Sequence, residues 1–512
     1  MTEGTELVGE FEGSGYRTPP QLVHRFDGQV VQLPPLLYEA VKALKTRQDA
    51  GGDTPDGLRP LSRTAEDLSR STGRRFTADH VAFLLDQKLA PLGITTYSDG
   101  SPPDVPRADP FLGLRFRAVV LPERATWVLS GLFAWLFRPV VLVVALTALA
   151  ISEIWTFATR SPGLALAQVM TDPTSVLLVA LLTLASSAFH EVGHAAACRY
   201  GGVRPGHMGC GVYVVWPAFY TDVTNSYRLG RGGRIRTDLG GVYFNGLFVI
   251  ALVVLYARTG SPVLLVSVLA TNLEMMQQLL PTLRFDGYYI IADLVGIPDL
   301  FKYIGPILKR AVLRRPPDRR LDALKRWPQL VITAWVLTVL PVLAIQLGVV
   351  VVRMPELATT AWYTVVSLVA GAAAGGTPVL AVASAAVQIL FLLLPLAGAV
   401  LVLWQLLSLA GRLLLRRRRR GRGDRDDRDG RDDRDDQDDQ DDREAATSLE
   451  PGSRMPVPLV LGGLAVSTVL ALGGVAPARG PRPTASLRGR SHLKGDECGG
   501  QETNVRMGVG PA

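Results

Sequence analysis

The sequence has 512 residues, of which 48% are hydrophobic and 20% are charged, and its formal net charge is +8. The apolar residues are concentrated in long runs after Leu129, whereas residues 1–125 have an ordinary soluble composition, so the sequence excludes a wholly soluble protein. Its 3 cysteines form no CxxC pair, which argues against a disulfide framework. The basic residues lie largely between the apolar runs, where they indicate membrane topology and not a nucleic-acid partner.

The N-terminal region is predicted to be a small α+β domain. Residues 1–20 are polar and contain Gly and Pro, so we expect a flexible N-terminus. Between residues 21 and 97, turn and helix signals predict a β-hairpin, a helix, a loop, two more helices and a short strand. In chain order these are Leu22–Leu33 with a turn at Asp27-Gly28, Pro34–Gln48, residues 49–60, helices capped by Ser62 and by Thr77, and Leu92–Thr95.

This order resembles the PqqD-like peptide-recognition domain, a winged-helix module that binds the leader peptides of ribosomally made, modified peptides. The resemblance implies that a leader adds as a strand to the hairpin Leu22–Leu33, beside the helix Phe76–Leu89. Two alternatives remain open. One is a winged helix that only packs against the membrane region, and the other is a DNA-binding winged helix that uses the basic cluster Arg70, Arg74 and Arg75.

After a linker and interfacial segment over residues 98–138, apolar runs predict a polytopic transmembrane helix bundle of about six or seven spans. The first six are Pro139–Phe157, Thr174–Cys198, Leu239–Tyr256, Ser261–Leu280, Pro328–Val352 and Leu380–Leu407. Arginine-rich loops over residues 199–237 and 284–327 are expected on the cytoplasmic side. The lipid bilayer is therefore a partner, and we predict a multi-pass cell-membrane protein whose N-terminal domain is cytoplasmic.

The chain beyond residue 300 is predicted to be an additional transmembrane region to residue 412. Within it, Glu356–Ala374 is expected not to span or to be re-entrant, because this keeps Arg416–Arg420 in the cytoplasm. Residues 413–455 are rich in Arg and Asp and are predicted to be a disordered linker. A last span is expected over 456–476, followed by a tail over 477–512.

The motif His190-Glu191-Val192-Gly193-His194 lies in the second predicted span. On a helix, His190 and His194 are one turn apart on the same face, where two imidazoles can bind Zn²⁺, and Glu191 lies beside them as a candidate base. Ionisable residues are costly inside a bilayer, so a functional role is the default interpretation. At about 1.5 Å per residue, His190 is roughly 24 Å from the outer end of its helix, near the cytoplasmic face.

A catalytic zinc needs a third protein ligand and one open position. Asp286 follows the fourth predicted span at the depth of the two histidines, and Gly287 after it permits a close approach of the backbone. We therefore favour Asp286 as the third ligand. The alternative is that Asp286 caps a helix over Tyr288–Leu294, with Arg284 as its neighbour.

Three segments resemble, in order and on successive spans, the signatures of the site-2 protease family of intramembrane metalloproteases. They are His190–His194, Gly240–Asn245 and Phe285–Gly287, within a predicted core over residues 139–300. The usual Gly-Pro pair before the asparagine is Gly240-Gly241 here.

This resemblance implies one zinc ion per chain, with His190, His194 and Asp286 as its ligands. It also implies that Glu191 is the catalytic base and that Asn245 is an amide facing the substrate or transition state.

The surroundings of the motifs suggest a substrate class. Trp216–Asp222 and Arg284–Tyr289 are similar to a bacterial branch of peptide zinc metalloproteases found with peptide biosynthesis and export, which includes daptide-type maturation proteases. The implied function is removal of the leader from a precursor peptide. The expected substrate is a precursor or membrane peptide, and peptide-modifying enzymes or an exporter are the other expected partners. The alternatives are a regulatory protease that cuts a membrane-anchored signalling protein and a non-catalytic peptide-export partner.

Other polar residues have less specific interpretations. His207 is predicted to be a surface histidine and Asp222 to form a turn. Glu153 and Glu274 lie in apolar helices, where they either gate water or substrate or hydrogen-bond inside the bundle. Gly211–Trp216 alternates enough to form a strand whose edge could hold an extended substrate.

Overall fold

The fold comes from a computed structural model, and it is mainly helical with two small sheets. It describes residues 1–27, 29–49, 59–103, 114–213, 216–282, 284–314, 316, 318–374 and 378–429. These residues all belong to one compact unit.

The N-terminal domain is built on an antiparallel sheet of three strands in the order β1-β2-β3. The strands are β1 (Glu6–Glu10), β2 (Gln21–His24) and β3 (Val30–Leu33). Helices α1 (Pro35–Asp49), α2 (Arg59–Thr72) and α3 (Ala78–Leu84) cover it. The β2–β3 hairpin was predicted, and its pairing places Val23 opposite Val31. Val23, Leu33, Val41 and Leu68 form the buried core between sheet and helices.

Three details of this domain differ from the prediction. Residues 1–20 are not a free tail, because they form β1 and bury Phe11 completely. Ser62 lies inside α2, which begins three residues earlier at Arg59, whereas Thr77 caps α3 through a hydrogen bond from the backbone N–H of His80. The strand expected at Leu92–Thr95 is instead the end of a 3₁₀ turn that stops at Gly93, where φ is 72°.

A second sheet combines one strand that comes before the apolar helices with two strands from a segment between two of them. It contains β4 (Leu114–Leu121), β5 (Met208–Tyr213) and β6 (Trp216–Thr221) in the order β4-β5-β6. The single strand predicted at Gly211–Trp216 is therefore part of a hairpin. Residues 114–133, predicted to be linker and interfacial segment, instead form β4 and helix α4 (Glu123–Phe133), because β4 pairs with β5 although the two are far apart in sequence.

Five helices among the described residues are long and apolar enough to cross a membrane. They are α5 (Pro139–Thr159), α7 (Pro173–Tyr200), α8 (Arg231–Thr259), α13 (Arg326–Ala374) and α14 (Pro378–Asp429). The predicted fourth span is helix α9 (Pro262–Leu279), which falls outside this group of five. Shorter helices complete the order: α6 (Pro162–Thr171), α10 (Asp286–Val295), α11 (Ile304–Leu313) and α12 (Arg319–Asp322).

The C-terminal prediction was partly wrong. Helix α13 continues through the expected break at residue 352, so Glu356–Ala374 is part of the same helix as the predicted fifth span. Pro355 lies inside the helix without ending it, and the charges near it are neutralised locally because Arg353 and Glu356 form an ion pair of 2.7 Å. Helix α14 reaches Asp429, so the predicted linker does not begin at residue 413. The last predicted span and the tail lie outside the described residues.

Helices α7 and α8 approach each other closely at two glycines. A side chain on Gly193 would collide with the carbonyl oxygen of Gly240, and one on Gly240 would meet the Gly193 carbonyl at 2.6 Å. Small residues allow such backbone approach between apolar helices. This crossing brings α8 against the histidine motif of α7.

Candidate metal centre

The two histidines of α7 direct their outer ring nitrogens at each other. His190 is 2% exposed and His194 is 8% exposed, and their Nε2 atoms are 3.0 Å apart. Because they lie one turn apart on a helix, both rings leave the same face. The pair faces the junction of α8 and α10.

Asp286 completes this arrangement from a different helix. Its Oδ2 lies 3.1 Å from Nε2 of His190, and its Oδ1 lies 3.5 Å from Nε2 of His194. Asp286 is the first residue of α10 and Phe285 occupies the cap position, so the alternative in which Asp286 caps the helix is wrong. The carboxylate faces the histidines.

The spacing of these atoms fits a tetrahedral zinc site. Metal–ligand bonds of about 2.0–2.2 Å at tetrahedral angles require ligand atoms about 3.3–3.5 Å apart. The two Nε2 atoms are 3.0 Å apart, and each lies 3.1 or 3.5 Å from a different oxygen of Asp286, so the three side chains converge at about the required spacing. Three ligands of this kind leave the fourth tetrahedral position open, as a catalytic site requires.

A backbone carbonyl sets the tautomer of His194. Nδ1 of His194 is 2.8 Å from the carbonyl oxygen of Thr237, which can only accept a hydrogen bond. The proton therefore lies on Nδ1, and the lone pair of Nε2 is free to bind a metal. Such a second contact is usual for metal-binding histidines.

Asp286 offers an oxygen ligand. Its side chain is 15% exposed and places one carboxylate oxygen near each imidazole ring. A carboxylate is one of the oxygen donors that zinc accepts in proteins. Two imidazoles and a carboxylate are a common ligand set for catalytic zinc.

Glu191 lies beside the candidate ligands and is held by the second sheet. Its side-chain oxygen and the ring nitrogens of His190 and His194 are within 4.8 Å of one another. The hydroxyl of Thr221, the last residue of β6, lies 2.7 Å from Oε2 of Glu191 and 3.0 Å from its backbone carbonyl. Sequence reasoning missed Thr221, although it lies in the segment Trp216–Asp222 that carries the family resemblance.

The imidazole rings of His190 and His194 leave no room for a side chain at Gly241. A Cβ atom at this position would collide with Nε2 of both His190 and His194. The backbone of α8 thus forms one wall of the centre.

Asn245 lies one turn further along α8, fully buried and away from the ligand atoms. Its Oδ1 accepts a hydrogen bond of 3.4 Å from the hydroxyl of Ser186, one turn before His190. Its amide nitrogen has no hydrogen-bond partner among the residues that the structure describes. It is therefore a buried donor one helical turn beyond Gly241, whose position faces the two imidazole rings.

The remaining candidates are placed outside the ligand set. Glu274 accepts a hydrogen bond of 2.6 Å from Ser187, and Glu153 accepts one of 3.1 Å from Asn272, so both are bonded inside the bundle. His207 is partly exposed and lies 4.0 Å from Asp222. Asp222 forms the expected turn, because its Oδ1 accepts from the N–H and the hydroxyl of Thr224.

Comparison with known proteins gives one partial similarity. Over 129 residues the chain is 23% identical to the "Putative peptide zinc metalloprotease protein YydH" of Bacillus subtilis (strain 168), a match that covers 25% of this chain. The chain spans about half, 51%, of the length of this curated relative. No family model matches the chain, and no solved structure matches it.

Proposed function

We propose that this chain is an intramembrane zinc metalloprotease of the site-2 type, and that it removes the leader from a ribosomally made, modified precursor peptide. The observation that carries the proposal is the convergence of His190, His194 and Asp286, with Glu191 beside them. The similarity to a protein named as a peptide zinc metalloprotease supports the same reaction. The apolar length of α7 supports chemistry within a membrane.

In this proposal His190, His194 and Asp286 hold the zinc ion. Zinc bound there supplies Lewis-acid chemistry, which acidifies water and polarises a peptide carbonyl. Glu191 accepts the proton of the attacking water and returns it to the leaving amine. The hydroxyl of Thr221 keeps the carboxylate of Glu191 turned toward the reacting atoms, and the amide of Asn245 donates to the substrate.

The substrate must be extended to be cut, and β6 offers an edge for it. Among the described residues β6 pairs only with β5, and it ends at Thr221, next to Glu191. A peptide that adds to this edge would run toward the base. In the N-terminal sheet, β3 is likewise paired on one side only in the described part of the chain, so we propose that the leader adds there.

The test is cleavage of a leader-bearing precursor by the purified full-length protein, together with its zinc content. Wild type and Glu191→Gln should both hold about one zinc per chain, because Glu191 is not a ligand. Cleavage by Glu191→Gln should fall by about 10²–10⁴-fold, the usual contribution of a general base. Glu123→Gln, a change at an exposed carboxylate on α4, is the matched control.

Equal cleavage by wild type and Glu191→Gln overturns the catalytic proposal. A precursor without its leader separates the two parts of the proposal. Leader recognition predicts a higher KM for the leaderless peptide at similar kcat, whereas equal KM values would leave a protease that does not use the leader.

A further inference from the structure

Residues Phe11–Arg17, here called the strap, connect the N-terminal sheet to the elements around the metal centre. Three backbone hydrogen bonds hold the strap. The N–H of Gly15 donates to the carbonyl of Gly296 at 3.0 Å, the N–H of Lys325 donates to Gly15 at 2.9 Å, and the N–H of Arg17 donates to Ala323 at 2.8 Å. The strap is therefore fixed along its length, although it directly follows β1.

The strap lies directly on the C-terminal end of α10. A side chain on Gly15 would collide with the carbonyl oxygen of Val295, the last residue of that helix. Gly296, which ends α10 with φ of 69°, would in turn strike Gly13 if it carried a side chain. Helix α10 begins at Asp286, so the strap contacts the far end of the helix that presents the candidate ligand.

Arg234 on α8 joins the strap to both helices. It is 0% exposed, and its Nε donates to Oδ1 of Asp293 on α10 at 2.8 Å. Its Nη1 donates to the carbonyl of Glu12 in the strap at 3.2 Å and to that of Leu229 at 2.9 Å. The ring of Phe11 lies 4.5 Å from the guanidinium carbon, a cation–π contact.

Arg234 and Asp293, which these contacts join, lie one and two helical turns from residues of the candidate metal centre. Thr237, whose carbonyl accepts from His194, follows Arg234 by one turn of α8. Asp293 follows Asp286 by two turns on the same side of α10. A shift of Arg234 would therefore change the relative placement of the Thr237 carbonyl and the Asp286 carboxylate.

We propose that the strap is a positioning element of the metal centre. By stacking Phe11 on Arg234 and packing against the end of α10, it fixes the two helices that orient His194 and present Asp286. The inference rests on the zinc centre of the proposed function. The Asp293 carboxylate, the Glu12 and Leu229 carbonyls and the Phe11 ring hold the buried guanidinium in place, and removing a partner of a buried charge is strongly destabilising. The N-terminal sheet and the metal centre are then linked through the strap.

The test is the rate of zinc release to a chelator from the full-length protein, without substrate. Phe11→Leu keeps apolar volume but removes the ring, and Gly15→Ala pushes the strap away from α10. Residues that orient metal ligands typically affect metal affinity by about 10–100-fold, so each variant should release zinc at least about 10-fold faster. The matched controls, Phe26→Leu at a 52% exposed ring and Gly232→Ala in open space on α8, should release zinc like wild type.

A second readout separates positioning from leader binding. With a leaderless peptide, Phe11→Leu should lower kcat and leave KM unchanged, because no leader contact is lost. Zinc release at the wild-type rate in both strap variants overturns this inference and leaves the Glu191 test intact. A higher KM for the leader-bearing precursor with unchanged zinc release would also overturn it, by assigning the strap to substrate binding. A wild-type chain that holds no zinc would instead overturn the proposed function.

Discussion

Thr221 illustrates how a residue outside the motif can control the candidate base. Glu191 is on α7, but the hydroxyl that holds its carboxylate comes from the end of β6. A carboxylate fixed by one hydrogen bond keeps its second oxygen available for proton transfer. In the proposed mechanism the sheet therefore positions the base as well as offering an edge to the substrate.

We predict that Thr221→Val lowers kcat by about 10-fold, because a Brønsted base that is free to turn spends less time in reach of the water. Thr221→Ser keeps the hydroxyl and should remain close to wild type. The measurement is steady-state cleavage of the precursor, with zinc content determined on the same samples. A Thr221→Val enzyme with wild-type kcat would remove Thr221 from the proposed mechanism.

At the residue scale, most residues of the candidate metal centre could be predicted from the sequence. The spacing of His190 and His194 predicts a shared face, and Asp286 was expected at the same depth, which is where the structure brings them together. Thr237 and Arg234 were not predictable, because one acts through its backbone carbonyl and the other through partners far away in sequence.

At the scale of elements, the crossing of α7 and α8 determines whether the centre can form. Gly193 and Gly240 let the two backbones approach, and Gly241 leaves room for the imidazoles. From the sequence alone, Gly240-Gly241 was noted only because the resembled family usually has a Gly-Pro pair at these positions. The structure gives both glycines a steric role, because a Cβ atom on Gly240 would meet the Gly193 carbonyl and one on Gly241 would meet both imidazole rings.

We predict that Gly241→Ala abolishes stoichiometric zinc binding, because its methyl group would displace both ring nitrogens. Gly232→Ala on the same helix meets no atom within 4 Å and should retain zinc. Alanine also favours helix over glycine by about 1 kcal/mol, so a loss of zinc cannot be assigned to weaker helix formation. Equal metal content in the two purified variants would contradict the steric argument.

Elements defined by local signals were predicted well, and those defined by distant pairing were not. The Asp-Gly turn predicted the β2–β3 hairpin, and apolar periodicity predicted α1. Strand β4 was missed because its partner β5 follows far later in the chain. Glu356–Ala374 was separated from the span before it in order to keep Arg416–Arg420 in the cytoplasm, an argument from charge that gives no information on whether the helix continues through Pro355.

At the scale of the whole molecule, the proposed orientation places the N-terminal domain and the β5–β6 hairpin on the cytoplasmic side. Arginine is in excess in the loops on that side of the apolar helices, and positively charged loops favour the cytoplasmic side. The short connection between α5 and α6 would then face outward. This arrangement lets one cytoplasmic precursor reach both the N-terminal sheet and Glu191.

Single exposed cysteines test this orientation in a variant without Cys198, Cys210 and Cys498. In intact cells an impermeant thiol reagent should label Ser161→Cys, whereas Arg63→Cys and Arg204→Cys should react only after lysis. Labelling of Arg63→Cys in intact cells would reverse the orientation. If Arg63→Cys and Arg204→Cys gave opposite results, the N-terminal domain and the metal centre would lie on opposite sides of the membrane.

The strap also has a consequence for the order in which the protein is made. Ser14 is synthesised early, yet its carbonyl accepts a hydrogen bond from Lys325, 311 residues later. At a synthesis rate of about 5–20 residues per second, roughly 15–60 s pass between the synthesis of Ser14 and that of Lys325. The histidine motif emerges well before that time, but the helices around it cannot reach their final placement. The candidate metal centre can therefore reach its final placement only after Lys325 has been synthesised.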